Sequence, residues 1–261
     1  MTIPSDIKEL ILPLLSDLTY PELLKAYDLH FAQQRLLLKD RLLSIVNKNY
    51  SKINYWNKAN AMLLLADFED SWDTLVANTL NDSVILSQTA TWVLFKKNPT
   101  LLLDVVNRFT GIEKLKVTNI INGLNRTNNR DLLIVDIITS LKTNPFFDEI
   151  YEFDLISIAE SAIQLFIKAS SSFKVEKSGL KDMFFVMQGE LEIDNGIVIS
   201  PITKQQIYWY VQNDQSDILN FTAKEDGILL QINADNIFQI LSEKISLSKT
   251  IINIFSEQYA I

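Results

Sequence analysis

The chain has 261 residues, of which 48% are hydrophobic, with six glycines, six prolines, one histidine (His30) and no cysteine. There is room for one large core or two ordinary ones. Disulfides, thiolate nucleophiles, sulfur-ligated zinc and any site needing two imidazoles are excluded. The net charge of −8 is uneven: residues 1–130 carry 15 Lys+Arg against 13 Asp+Glu (+2), and residues 131–261 carry 9 against 19 (−10), with every arginine in the first half. An acidic chain without a basic stripe repels phosphate backbones, so no nucleic-acid partner is expected.

Met1 to Glu9 has no basic region ahead of an apolar stretch, and no run approaches the ~18 apolar residues of a membrane helix. A cytoplasmic chain with no direct membrane insertion is expected. The first 125 residues follow the 3.6-residue period, broken at 16–21, 47–51, 67–71, 81–83, 98–100 and 110–111. Asp82 or Ser83 is expected to cap the helix that follows, Pro99 suits a first turn and Gly111 a helix terminus. Leu86, Ala90, Val93 and Leu94 form one apolar stripe, and Val117, Ile120, Ile121 and Leu124 another. Helices of this length bury such stripes by stacking as antiparallel pairs. Asp73 to Leu94 resembles one HEAT repeat: a leucine-containing first helix, an Asn81-Asp82 turn and the small Ala90 at a close approach. It departs from the family where Ser87 or Gln88 stands in place of the usual Arg.

After the polar stretch 125–131 the pattern changes. One helix carries Leu133, Ile134, Ile137, Ile138 and Leu141 and stops before Pro145, which forces the chain out of helix. Another carries Phe153, Leu155, Ile156, Ile158 and Ala159. From about 164 to 232 short strand-like runs follow at 166–167, 172–175, 183–187, 190–193, 197–199, 207–211 and 228–232. Asp194-Asn195-Gly196 reads as a tight hairpin turn. Strands at this spacing predict a closed or double-sheet structure. A last helix is expected from about Asp235 to Tyr259.

This order resembles a cyclic nucleotide-binding domain. The resemblance is carried by Lys142 to Phe147 followed by Asp154 to Ala159, the strand-Gly-Glu-strand passage Met183 to Ile193, and Ala223 to Ile232 followed by Phe238 and Leu241. The resemblance covers residues 131–261 and implies a small jelly roll. In that family Gly189 marks a scaffold turn where a side chain would clash, and is not part of the ligand site. The resemblance places a phosphate-binding cassette between strands at 197–200 and 218–223, normally with a Gly-Glu pair at a helix N-terminus and a later Arg. Between Ser200 and Ala223 this chain has no Gly, Glu or Arg, and Asp217 falls near the Arg position, with Asp214 close by in sequence. Carboxylates there would repel a cyclic phosphodiester, and Lys204 or Lys224 would offer only a point charge without the planar fork. The candidate degenerate pocket is therefore Tyr208, Trp209, Tyr210, Asp217 and Lys224. Its aromatics are expected to be strand or core residues, with a patch for a protein partner as the alternative reading.

The six glycines are never closer than seven apart, so no nucleotide-triphosphate loop exists. No serine sits in a G-x-S-x-G elbow, and His30 reads as an ordinary helix residue. The acidic groups 67–73 and 148–154 read as helix starts. The sequence thus predicts an α+β two-domain chain: a HEAT-like α-solenoid over 1–130, and a cyclic nucleotide-binding-like β jelly roll with flanking helices over 131–261. It is expected to be a non-enzymatic interaction or regulatory module, with no cofactor, no metal and no catalytic residues, and with a protein partner. The alternative is a sensor of a cyclic nucleotide or another anion, coupled to the helical domain. The combination also resembles the soluble extension of some nucleotide-carrier-like membrane proteins, which implies association with a membrane transporter. A DNA-binding regulator fits less well, because only Ala260 and Ile261 follow the last expected helix.

Overall fold

The structure, a computed structural model, describes residues 35–47, 54–127, 133–148, 150–176, 182–194, 196, 199–209 and 218–243. The chain divides into two compact units, residues 1–139 and 140–261. No helix among the described residues is long and apolar enough to cross a membrane.

The first unit is helical: α1 (Arg35–Asn47), α2 (Tyr55–Leu65), a short 3-10 turn (Glu69–Ser71), α3 (Trp72–Asn78), α4 (Val84–Lys97), α5 (Pro99–Arg108), α6 (Gly111–Thr127) and the first part of α7 (Ile134–Leu141). Helix α1 packs on α2, α3 on α4 and α5 on α6, while α2 also packs on α4 and α4 on α6. Leu86, Ala90, Val93 and Leu94 are buried on α4, and on α6 Val117 and Leu124 are buried while Ile120 and Ile121 are half-buried. Asn54 and Asn57 close a reciprocal capping box at the start of α2, each side chain bonded to the other's backbone N–H. Asn98 accepts from the Leu101 N–H to open α5, with Pro99 at its first position. Ser83 occupies the N-cap of α4, yet neither it nor Asp82 bonds the helix through its side chain. Instead the Ser83 N–H donates to Asn81 Oδ1 at 3.0 Å, because the Asn81 side chain folds into an Asx turn before the helix starts.

Helix α2 is buried on every side from Trp56 to Leu65, polar residues included. The amide of Asn60 returns to its own helix, donating to the Trp56 carbonyl at 2.9 Å. Thr79 and Thr91 likewise donate to the carbonyls of Val76 and Ser87. Burial pushes the Lys58 ammonium below its ordinary pKa.

The second unit opens with the end of α7, then α8 (Pro145–Asp148) and α9 (Glu152–Ser161). Helix α7 ends at Leu141, three residues short of Pro145, and Pro145 does not force the chain out of helix as expected but opens α8, since the missing N–H is one that a first helical turn leaves unpaired anyway. The stripe Leu155, Ile156, Ile158 and Ala159 is buried, whereas Phe153 stands half exposed on the outer side of α9.

Among the described residues eight strands follow: β1 (Ile163–Ile167), β2 (Ser172–Glu176), β3 (Asp182–Gln188), β4 (Glu190–Asp194), β5 (Ile199–Thr203), β6 (Ile207–Trp209), β7 (Ile218–Ala223) and β8 (Gly227–Asn233), then α10 (Ala234–Glu243). One sheet has the order β1-β8-β3-β6 and the other β2-β7-β4-β5, with every pair antiparallel. The pairs β1·β8, β2·β7, β3·β6 and β4·β5 are those of one long hairpin wound into two facing sheets, which is a jelly roll. The 190–193 run does form β4, which pairs with β5 with Asp194 opposite Ile199; of the 197–199 run only Ile199 is in β5, and 197 and 198 lie outside the described residues. That register makes the connection four residues long instead of a two-residue turn. Strand β5 runs on through Pro201, which is tolerated because β5 is an edge strand. The last helix is described only to Glu243, and the expected remainder to Tyr259 lies outside the described residues.

The two faces of the sheets explain two sequence textures. Strand β4 alternates: Leu191 and Ile193 point inward between the sheets, while Glu192 is on the opposite face. Strand β3 is buried at six consecutive positions because its sheet is covered on both sides. Helices α9 and α10 pack on β8, and the Phe147 ring meets Phe185 edge-on at 6.3 Å.

The chain passes between the sheets through two glycines. Gly189 alone separates β3 from β4, at φ +89, directly after a bulge between Val186 and Gln188. A Cβ there would lie 2.9 Å from the Gly227 Cα, and one on Gly227 would lie 2.8 Å from the Gln188 carbonyl oxygen. The scaffold role expected of Gly189 is thus a backbone crossing against Gly227.

Candidate functional site

Strand β6 brings the first pocket residue into place. Tyr208 lies opposite Phe184 and packs at the margin of the interior cluster between the sheets. Trp209 belongs to the same strand, opposite Met183. Tyr210, Asp214 and Asp217 lie outside the described residues.

The interior itself is formed by Ile167, Phe184, Val186, Leu191, Ile193, Ile202, Leu219, Phe221, Ala223 and Leu229, all apolar. At its centre Phe221 stacks on Phe173, with centroids 4.8 Å apart and planes 6° from parallel, and its other neighbour Phe184 is 4.9 Å away. Such aromatic contacts add to the area they bury. A negatively charged group among these side chains would be desolvated with no hydrogen-bond donor from the cluster.

Lys224 follows β7, on the other sheet from Tyr208. Its backbone N–H donates to the Glu190 carbonyl and its ammonium pairs with Glu192 Oε1 at 2.7 Å. Since Leu191 and Ile193 point inward, Glu192 and the ammonium it holds are on the outer face of the sheet. The structure therefore separates Lys224 from Tyr208 instead of gathering them around one cavity. The other lysine weighed as a substitute, Lys204, is exposed in the turn after β5.

Two polar features at the ends of the barrel were not read from sequence. The first ties the β1–β2 turn to the β7–β8 turn. Asp226 accepts from the Ala169 N–H at 2.8 Å and from Lys168 Nζ at 3.1 Å. The Ala169 N–H first, and Lys168 second, hold the Asp226 carboxyl below its ordinary pKa. Ser170, at φ +61, donates its N–H to the Ala223 carbonyl, and the Ala223 N–H returns to Ser171. The second feature joins Asn144, before α8, to the carbonyl of Gln205 at 2.7 Å. An Asn-Pro pair signals a helix start, but nothing local announces a partner 61 residues away.

In the helical unit the acidic group 67–73 is drawn into ion pairs, Asp67 with Lys97 at 2.7 Å and Asp70 with Lys39. No group of three His, Cys, Asp or Glu side chains suited to a metal ion occurs among the described residues.

No family profile and no curated protein matches this chain. Among solved structures it is similar to the sensor domain of the transcriptional regulator DNR from Pseudomonas aeruginosa, at 10% identity over 45% of this chain and 85% of that one, with a TM-score of 0.39. It is also similar to the catabolite activator protein of Thermus thermophilus, at 8% identity over 44% of this chain and 58% of that one, with a TM-score of 0.36. A cyclic nucleotide-binding-like protein from Brucella abortus matches at 18% identity over 41% of this chain and 98% of that one, with a TM-score of 0.31.

Proposed function

We propose that the chain is a non-enzymatic interaction or regulatory module, in which a HEAT-like helical stack precedes a cyclic nucleotide-binding-like jelly roll that no longer holds a cyclic phosphate. The observation that carries this reading is the placement of Lys224. The cation best placed in sequence to replace the missing Arg is engaged by Glu192 on the outer face of its sheet. The filled interior around Phe221 supports the same reading, as does the lack of Gly, Glu and Arg between Ser200 and Ala223. The pairing of α1 with α2 and α3 with α4, with α2 against α4, is the packing that a short repeat stack requires. A jelly roll without its ligand persists as a rigid docking element, and the partner is a protein.

The test is a melting-temperature titration of the whole chain and of Glu192→Gln, which releases the Lys224 ammonium, with cyclic AMP and cyclic GMP. A ligand that binds only the folded state raises the melting temperature with concentration. Neither protein is expected to shift. A concentration-dependent rise in the unaltered chain would establish the sensor alternative, and a rise in Glu192→Gln alone would show that the pocket still admits the phosphate.

A further inference from the structure

Asn144 uses both ends of its side-chain amide. Its Oδ1 accepts from the Phe146 N–H at 2.9 Å, which caps the start of α8, and its Nδ2 donates to the Gln205 carbonyl at 2.7 Å. Gln205 is a non-glycine residue held at φ +68, a conformation that persists only where its surroundings enforce it. The same turn is fixed on its other side: the Gln205 N–H donates to the Val186 carbonyl, the Val186 N–H to the Gln206 carbonyl, and the Thr203 N–H to Gln206 Oε1. Strand β6, with Tyr208, begins two residues later. On the helix side, Phe147 of α8 meets Phe185 of β3, the strand paired with β6.

We propose that Asn144 is a positioning residue that couples strand β6 to helix α8, so that the placement of Tyr208 and the capping of α8 are set together. Such a coupling is reciprocal, so loosening either side loosens the other.

Amide hydrogen exchange on the whole chain, with no nucleotide or partner added, tests the coupling separately from the proposed function. Asn144→Asp keeps an acceptor for the Phe146 N–H but removes the donor to Gln205. It is expected to accelerate exchange at Val186 and Gln205 about fivefold or more while leaving Phe146 protected. Asn144→Ala is expected to accelerate exchange at all three. Gln206→Ala, which removes the Thr203 bond from the strand side, is expected to accelerate exchange at Phe146. Unchanged protection across the β1–β8 ladder reports that the barrel remains folded. The proposal is overturned if Asn144→Asp leaves Val186 and Gln205 unchanged, or if the effect of Gln206→Ala stops within the turn. A melting shift with cyclic nucleotide alongside the expected exchange pattern would overturn the functional reading and leave the coupling standing.

Discussion

The helical unit and the barrel use polar groups and glycines in opposite ways. In the helices several buried side chains return to their own backbone three or four residues away, as Asn60, Thr79 and Thr91 do, and Gln88 accepts from the Ile134 N–H 46 residues on. In the barrel the interior is apolar, and the polar bonds that shape its ends join turns 57 to 61 residues apart, as Asp226 does to Ala169 and Asn144 to Gln205. A Cβ on Gly123 of α6 would meet nothing within 4 Å, whereas Gly189 and Gly227 press backbone on backbone. The lesson is that Gly123 in the helical unit is free to change, while the crossing in the barrel depends on backbone contacts that close only when the whole hairpin has wound.

The sharpest way to break this contrast is at the aromatic centre of the barrel. Phe221→Ala removes the ring shared by Phe173 and Phe184 and is expected to cost about 3–5 kcal/mol in denaturant unfolding. A cost near that of a surface substitution would mean that the interior is loosely filled and open to a ligand. Next in size is a matched pair of glycine substitutions. Gly227→Ala is expected to cost about 2 kcal/mol or more, because the neighbour in its way is the rigid backbone of Gln188. Gly123→Ala, in a helix with open space around it, is expected to gain about 0.5–1 kcal/mol. Equal responses would dissolve the distinction between the two units.

The smallest effect is electrostatic. The Asp226 carboxyl lies below its ordinary value of 3.8 in the folded chain, so the unfolded chain takes up its proton first as the solution is acidified. The stability contributed by its bonds to Ala169 and Lys168 is therefore complete above the unfolded value and is lost as pH falls through the folded one. Between about pH 5 and pH 3, Asp226→Asn is expected to lose less stability than the unaltered chain, as read by melting temperature. Identical acid profiles would show that the turn tie contributes nothing.

Much of the fold is legible in local pattern. The stripes on α4, α7 and α9 are buried where the 3.6-residue period puts them, and the alternation in 190–193 separates inward Leu191 and Ile193 from outward Glu192. Many short strands predict a closed or double-sheet structure, the resemblance implies a jelly roll, and the strand order agrees. Legibility fails where tertiary geometry overrides local signals. Pro201 hides the continuation of β5 because edge position cannot be read from composition. Phe153 reads as core by period but faces outward on α9. The clash expected at Gly189 is legible, while its counterpart Gly227 carries no local sign, since a close approach involves two chain segments and sequence displays one at a time. For the candidate site, the absence of Arg between Ser200 and Ala223 is legible in the sequence itself. The outward pairing of Lys224 is not, because it depends on which face Glu192 occupies once β4 and β7 are paired.

The central proposal is that the space between the sheets is occupied by apolar side chains and, among the described residues, offers no charge to hold a cyclic phosphate. A crystal structure of the whole chain grown with millimolar cyclic AMP tests it most directly. The account predicts Phe221 still stacked on Phe173, Lys224 still paired with Glu192 and no nucleotide between the sheets. A nucleotide seated there, with its phosphate against Lys224 or Lys204 and the aromatic stack displaced, would contradict it.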